Sequence, residues 1–235
     1  MGSVKVQRIV SIKVQIYTVQ TPAEALALVD AGVDHLGVTP FSGQGLPGEV
    51  DIVSARAIIE AIGGSATRVA LTVADDLAAI TEMVQAVRPD VLHLCGVAGS
   101  LSPQAVASLK KRIPGVAVMQ AIAVAGTEAI QEAVAYQSVA DYIILDTQAP
   151  DIPGIGASGT THDWSISRAI VQQLSVPVIL AGGLSPENVA DAIGAVAPWG
   201  VDSLSHTNLQ LPAGRFCKDL ERVRQFVAKA RAAAG

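Results

Sequence analysis

Four times the chain leaves a helical stretch, turns, and meets an aspartate just ahead of or within an apolar run: AGVDHLGV, VRPDVLHL, SVADYIIL and APWGVDSL. A phrase reused in this way belongs to a chain assembled from repeated helix–strand units. Asp34, Asp90, Asp141 and Asp202 then mark the turn from helix back to strand. Runs that read as strands lie at 12–18, 35–38, 68–73, 91–95, 116–121, 142–146, 178–181 and 201–204. They are near-continuously apolar, as parallel strands buried on both faces must be.

The intervening stretches carry helix starts. Thr21-Pro22-Ala23-Glu24 places a cap, a proline at the first helical position and an acid soon after. Ser102-Pro103 and Ser185-Pro186-Glu187 repeat the device, and Asp75 or Asp76 is positioned to cap another helix. Eight strand–helix units with no GxGxxG after the first strand predict a closed (β/α)8 TIM barrel rather than an open doubly wound sheet. A length of 235 residues suits one such barrel, and no linker divides residues 1–235, so a single domain is expected.

Composition narrows the partners. Half the residues are apolar and only 3% are aromatic, which suits helix-on-sheet packing better than a stacking platform for bases. The net charge is -5 and no basic run exceeds Lys110-Lys111-Arg112, so nucleic acid is not an expected partner. Cys95 and Cys217 form no CxxC pattern, and the four histidines show no ligand spacing, so neither a disulfide nor a metal site is expected. No cofactor is called for. Without an apolar signal core or a long apolar run, the expectation is a soluble cytoplasmic protein with no membrane contact.

In this fold the reacting groups come from the carboxyl ends of strands and the loops after them. Those positions hold Gln15 and Tyr17, Thr39, Thr72, His93 and Cys95, Gln120, Asp146, Gly182-Gly183, and 203–206. Asp146 directly follows Tyr-Ile-Ile-Leu, so it leaves a buried strand at the mouth. A half-buried carboxylate there either finds a partner or rises in pKa until it carries a proton near neutrality. The plainer alternative is an aspartate that caps its own loop. Gly182-Gly183 lets backbone amides converge on an anion after the seventh strand, where such barrels often hold phosphate, although a simple glycine turn has the same spelling. The Gly-rich segments 41–48 and 151–160 fall after strands two and six, and 154–161 reads as a lid or clamp. His93 and Cys95 share a strand face, either as a buried packing pair or as a thiol beside its base.

Several of these motifs, taken in order, resemble the phosphoribosylanthranilate isomerase family. They are ILDT (144–147), GASGTTHDW (156–164) where the family reads close to GGSGKTFDW, AGGLSPENV (181–189), the approach 198–202, and Lys218-Asp219. Lys13, Thr18 and EALALVDAGVDHLGV (24–38) resemble the family's opening. The resemblance implies a small phosphorylated sugar as ligand and an Amadori rearrangement with Asp146 as general acid. It places the phosphate on Gly182, Gly183 and the loop holding Ser205 and His206, with Gly159 and Asp202 in the binding set. The chain departs from the family where the chemistry is most demanding. Gln15 stands where the family has the cysteine that serves as base, and residues 39–55 contain no arginine for the anthranilate carboxylate. The family's Gln-Leu-His-Gly-Asp-Glu appears as HLCGVA (93–98), and its Ser-Ser-Gly as Leu204-Ser205-His206. His93 or Cys95 is left to supply the base. A barrel that binds without turnover, a relative with another phosphorylated substrate, and a lyase using Lys13 as a Schiff-base amine are the alternatives. Oligomeric state is not readable from these motifs.

Overall fold

The computed structural model describes residues 11–41, 43–148 and 154–235. One sheet contains β1 (Lys13–Ile16), β2 (His35–Pro40), β3 (Glu49–Val50), β4 (Thr67–Thr72), β5 (Val91–Leu94), β6 (Ala117–Ala123), β7 (Tyr142–Asp146), β8 (Val178–Leu180) and β9 (Gly200–Ser203). β3 is a short addition beside β2; the other eight run parallel and close, because β1 pairs with both β2 and β9. Around them lie α1 (Pro22–Asp30), α2 (Ile52–Ile62), α3 (Leu77–Val87), α4 (Pro103–Arg112), α5 (Glu128–Tyr136), α6 (Trp164–Gln173), α7 (Val189–Val196) and α8 (Leu220–Ala234). This is the (β/α)8 barrel that the repeated phrase predicts.

The recurrent aspartates have a physical explanation. Asp34 accepts from the Val14 amide at 2.8 Å, Asp90 from Arg68 at 2.9 Å and Asp141 from Val118 at 2.8 Å. Each therefore binds the first free N–H groups of a neighbouring strand, where the ladder has no other acceptor. Each also meets a basic side chain: Lys13 and Arg231 at Asp34, Arg68 at Asp90, and Lys110 at Asp141. Asp202 departs from the expectation. It lies within β9, opposite Gln15 of β1, because that strand begins two residues earlier at Gly200. The fourth aspartate thus projects from the strand's far half rather than tying down its start.

Helix starts follow their caps. Thr21 accepts from the Glu24 amide, Ser102 from Ala105, and Asp76, not Asp75, from Ala78 and Ala79. Ser185 is a correction: Asn188 occupies the N-cap of α7, while Ser185 closes the preceding turn by accepting from the Glu187 amide at 3.1 Å. A hairpin of β10 (Asn208–Gln210) and β11 (Phe216–Lys218) also stands between β9 and α8, where none was expected.

Burial separates two cores. One, with Ile16, Leu28, Ile58, Leu109 and Phe226, fills the space between strands and helices. The other lies inside the barrel and includes Tyr17, Val69, Met119, Ile144, Ile155 and Ile179. Among the described residues no helix is long and apolar enough to cross a membrane.

Candidate active site

The barrel mouth opens into a cavity of about 540 Å³. Asp146, at the end of β7, Asp202, on β9, and His93 and Cys95, within and just after β5, all line it. An adjoining cavity of about 280 Å³ is lined by Ser158, Gly159, Gly182, Gly183, Ser205 and His206, and Asp146 and Asp202 line this one too. The two carboxyls therefore stand where a cavity with apolar walls meets a cradle of glycines and hydroxyls.

Asp146 keeps part of its surface open to the pocket. Burial pushes its carboxyl up to about 7, although the Thr147 amide donates to Oδ1 at 2.7 Å and favours the charged form. Asp146 thus binds its own loop through Oδ1 while burial still raises its carboxyl. Asp202 is pushed up to about 8, first by burial and then by repulsion from Asp146; Gln15 and Lys218 act in the opposite sense. Because the two carboxyls repel, proton loss from one opposes loss from the other, and near neutral pH they hold about one proton between them.

Gln15 does not line the pocket. It is buried one layer below, where Nε2 donates to Asp202 Oδ1 at 3.1 Å and Oε1 lies 3.3 Å from His35 Nδ1. Above it the Tyr17 ring crosses the barrel and its hydroxyl lies 3.0 Å from His93 Nδ1. Burial pulls the His93 imidazole down to about 3, so it is neutral at physiological pH, and its Nε2 has no partner among the described residues. The Cys95 thiol is pushed up by burial and donates to the Thr72 carbonyl at 3.4 Å, which keeps it protonated near neutral pH.

The cradle depends on the paired glycines. Gly182 and Gly183 have φ of +82° and +61°, and a Cβ on Gly183 would stand 2.6 Å from the backbone of Thr160. Only glycine lets the 159–161 segment lie this close. His206 Nε2 donates to the Gly159 carbonyl at 3.0 Å, joining the loop after β9 to the loop after β7. The bulky side chain is thus a strut at the edge of the cradle. The segment read as a lid or clamp, 154–161, packs into the mouth: Ile155 is buried inside the barrel and its amide donates to the Cys95 carbonyl at 2.8 Å. Residues 151–153 of the Gly-rich segment 151–160 and residue 42 of the segment 41–48 lie outside the described residues.

Three features escaped the sequence. Leu46, Pro47 and Ile155 wall the cavity from loops without periodicity. Tyr17 was a candidate, but nothing local indicated that it would hold His93. Lys218 is buried, donates to the Tyr17 carbonyl and to Asn208 Oδ1, and is pulled down to about 7 by its burial. The Lys-Asp pair at 218–219 was its only signal. Among the described residues no His/Cys/Asp/Glu group could hold a metal ion.

Fold and site together define a (β/α)8 barrel with a carboxyl pair set beside a cradle of glycines and hydroxyls. The chain belongs to the N-(5'phosphoribosyl)anthranilate (PRA) isomerase family, whose model matches residues 14–229. It is 38% identical over 199 residues to an N-(5'-phosphoribosyl)anthranilate isomerase of Natronomonas pharaonis, covering 85% of this chain and 88% of that one. A Methanocella arvoryzae protein of the same name is 34% identical, covering 93% and 98%. Among solved structures, the phosphoribosyl anthranilate isomerase of Thermotoga maritima superposes with a TM-score of 0.76 at 25% identity, covering 94% and 99%.

Proposed function

We propose that this chain is an aldose–ketose isomerase of the Amadori type, acting on an N-linked ribose 5-phosphate of the kind its relatives' names describe, N-(5'-phosphoribosyl)anthranilate. The observation that carries the reading is the position of Asp146, a carboxyl that titrates near neutrality and lines both the apolar cavity and the glycine cradle.

In this reading the phosphate rests on Gly159, Gly182, Gly183, Ser205 and His206, where backbone amides and a hydroxyl converge without a metal ligand set. The aglycone lies against Leu46, Pro47, Leu71, Val73 and Ile155. Asp146, protonated, donates to the furanose ring oxygen as the C1–O bond breaks, and the amine lone pair forms the C1=N bond. A base must then remove the C2 proton to give the enolamine. His93 supports the substrate as a neutral hydrogen-bonding group that Tyr17 holds in place. Cys95 packs the floor of the pocket.

Complementation of a tryptophan auxotroph lacking this isomerase tests the reading. Growth supports it. Failure with well-expressed, folded protein overturns it, and a phosphosugar-dependent rise in melting temperature alongside that failure would point to a barrel that binds without turnover.

A further inference from the structure

The cavity holds few groups able to accept a proton. Its ionisable lining consists of Tyr17, His93, Cys95, Asp146 and Asp202. The Tyr17 phenol and Cys95 thiol are both pushed up by burial, and both stay protonated at working pH. His93 binds a proton only near pH 3, which makes it a weak acceptor. If Asp146 donates the proton that opens the ring, one carboxyl remains in the lining among the described residues.

From its place in the pocket and the residues that hold it, we infer that Asp202 is the base that removes the C2 proton, and that Gln15 is its positioning residue. This inference rests on the isomerase reading. Gln15 and Asp202 are register partners on β1 and β9, so their Cα atoms stand about one strand spacing, ~5 Å, apart. Gln15 Oε1 lies 3.3 Å from His35 Nδ1, and on the other side Nε2 donates to Asp202 Oδ1 at 3.1 Å. That bond fixes the carboxylate and favours its charged form, and the Lys218 ammonium adds to the effect. Burial and the Asp146 charge oppose it. The Tyr17 phenol, which feels the Asp202 charge, is pushed up and stays neutral. A pair that shares one proton suits a reaction needing one acid and one base; the proton rests mainly on Asp202, and the reactive form is the minor one that carries it on Asp146.

The proton balance closes. Asp146 gives its proton to the ring oxygen as the C1–O bond breaks. Asp202 takes the C2 proton, and the C2–H electrons form the C1=C2 bond while the C1=N electrons return to nitrogen. The enol O–H then returns a proton to Asp146 as C2=O forms, and Asp202 delivers its proton to C1. Both carboxyls finish as they began, and the aldose has become the ketose.

The test compares steady-state turnover of N-(5'-phosphoribosyl)anthranilate by the wild-type chain with that of Asp202→Asn, Asp202→Ala and Gln15→Leu. Asp202→Asn is expected to lower kcat by about 10²–10⁴-fold, the usual contribution of general base catalysis, with a much smaller change in KM. Formate and acetate are expected to restore part of the Asp202→Ala rate, acetate more than formate at equal concentration, because the rescue follows basicity. Gln15→Leu should move the acid limb of the kcat/KM profile to higher pH, an effect that loss of packing alone does not produce. A ribose 5-phosphate melting shift equal to the wild-type shift shows that each variant still folds and grips phosphate. Wild-type turnover with Asp202→Asn within threefold of it overturns the base assignment alone. No wild-type turnover overturns the isomerase reading and this role with it.

Discussion

Gly156 lies directly against Asp146: a Cβ built on that glycine would stand 2.6 Å from the carboxyl Oδ2. The lid therefore closes over the acid through hydrogen atoms alone, and it excludes much of the water that would otherwise keep Asp146 at an ordinary carboxylate pKa. Gly156→Ala should lift the lid, since its φ of +109° also disfavours a side chain. Better solvated, Asp146 falls in pKa, so the acid form needed for ring opening is lost at lower pH. The basic limb of the kcat profile is expected to move down, with kcat at pH 7 lowered by about tenfold or more. An unchanged profile would detach the lid from the acid.

His206 offers a milder perturbation. Its only side-chain bond in the described structure is the one to the Gly159 carbonyl, and His206→Ala removes it. A hydrogen bond of about 0.5–1.5 kcal/mol corresponds to roughly a 2–10-fold weakening. That loss should appear in KM for the phosphosugar, with kcat nearly constant, and steady-state kinetics on the variant checks it.

The cavity wall suggests a gain of binding. No lysine or arginine lines it among the described residues, and Leu46 occupies the loop after β2. Leu46→Arg should lower KM for a carboxylate-bearing aglycone by about tenfold through a charge-assisted hydrogen bond. Uniform binding of this kind does not raise kcat. An unchanged KM in a folded variant would place the aglycone elsewhere.

Stability should depend on the carboxyl pair with a definite sign. Burial raises both carboxyls, to about 7 for Asp146 and about 8 for Asp202, above an unfolded value near 3.9. The folded state therefore binds more protons. The stability they confer is complete below about pH 4 and is lost as pH rises through 7 to 8. The double variant Asp146→Asn with Asp202→Asn should raise the melting temperature by a few degrees at pH 9, and the gain should vanish toward pH 4. A pH-independent difference between the two proteins would contradict the raised pKa values.

The barrel was legible because parallel strands buried on both faces spell themselves as apolar runs, and because caps such as Thr21 and Ser102 act locally. Asp146 was legible for the same reason, as a charged residue at the end of a hydrocarbon strand. Asp202 was misread because its phrase, GVDSL, matches GVDHL at Asp34 while its strand starts earlier. The bond between Gln15 and Asp202 joins residues 187 positions apart, and that between His93 and Tyr17 joins residues 76 apart. Such contacts exist only after the barrel closes, so no local pattern announces them. The β10–β11 hairpin was missed because its strands are three residues long, too short for alternation to register.

The central claim is that a carboxyl over a phosphate cradle opens a ribose ring. The direct measurement is the turnover of purified N-(5'-phosphoribosyl)anthranilate by wild-type protein and by Asp146→Asn, with folding of both confirmed by melting. The expected result is measurable wild-type turnover and a fall of about 10²–10⁴-fold in kcat for Asp146→Asn. Turnover that survives Asp146→Asn undiminished would contradict the account.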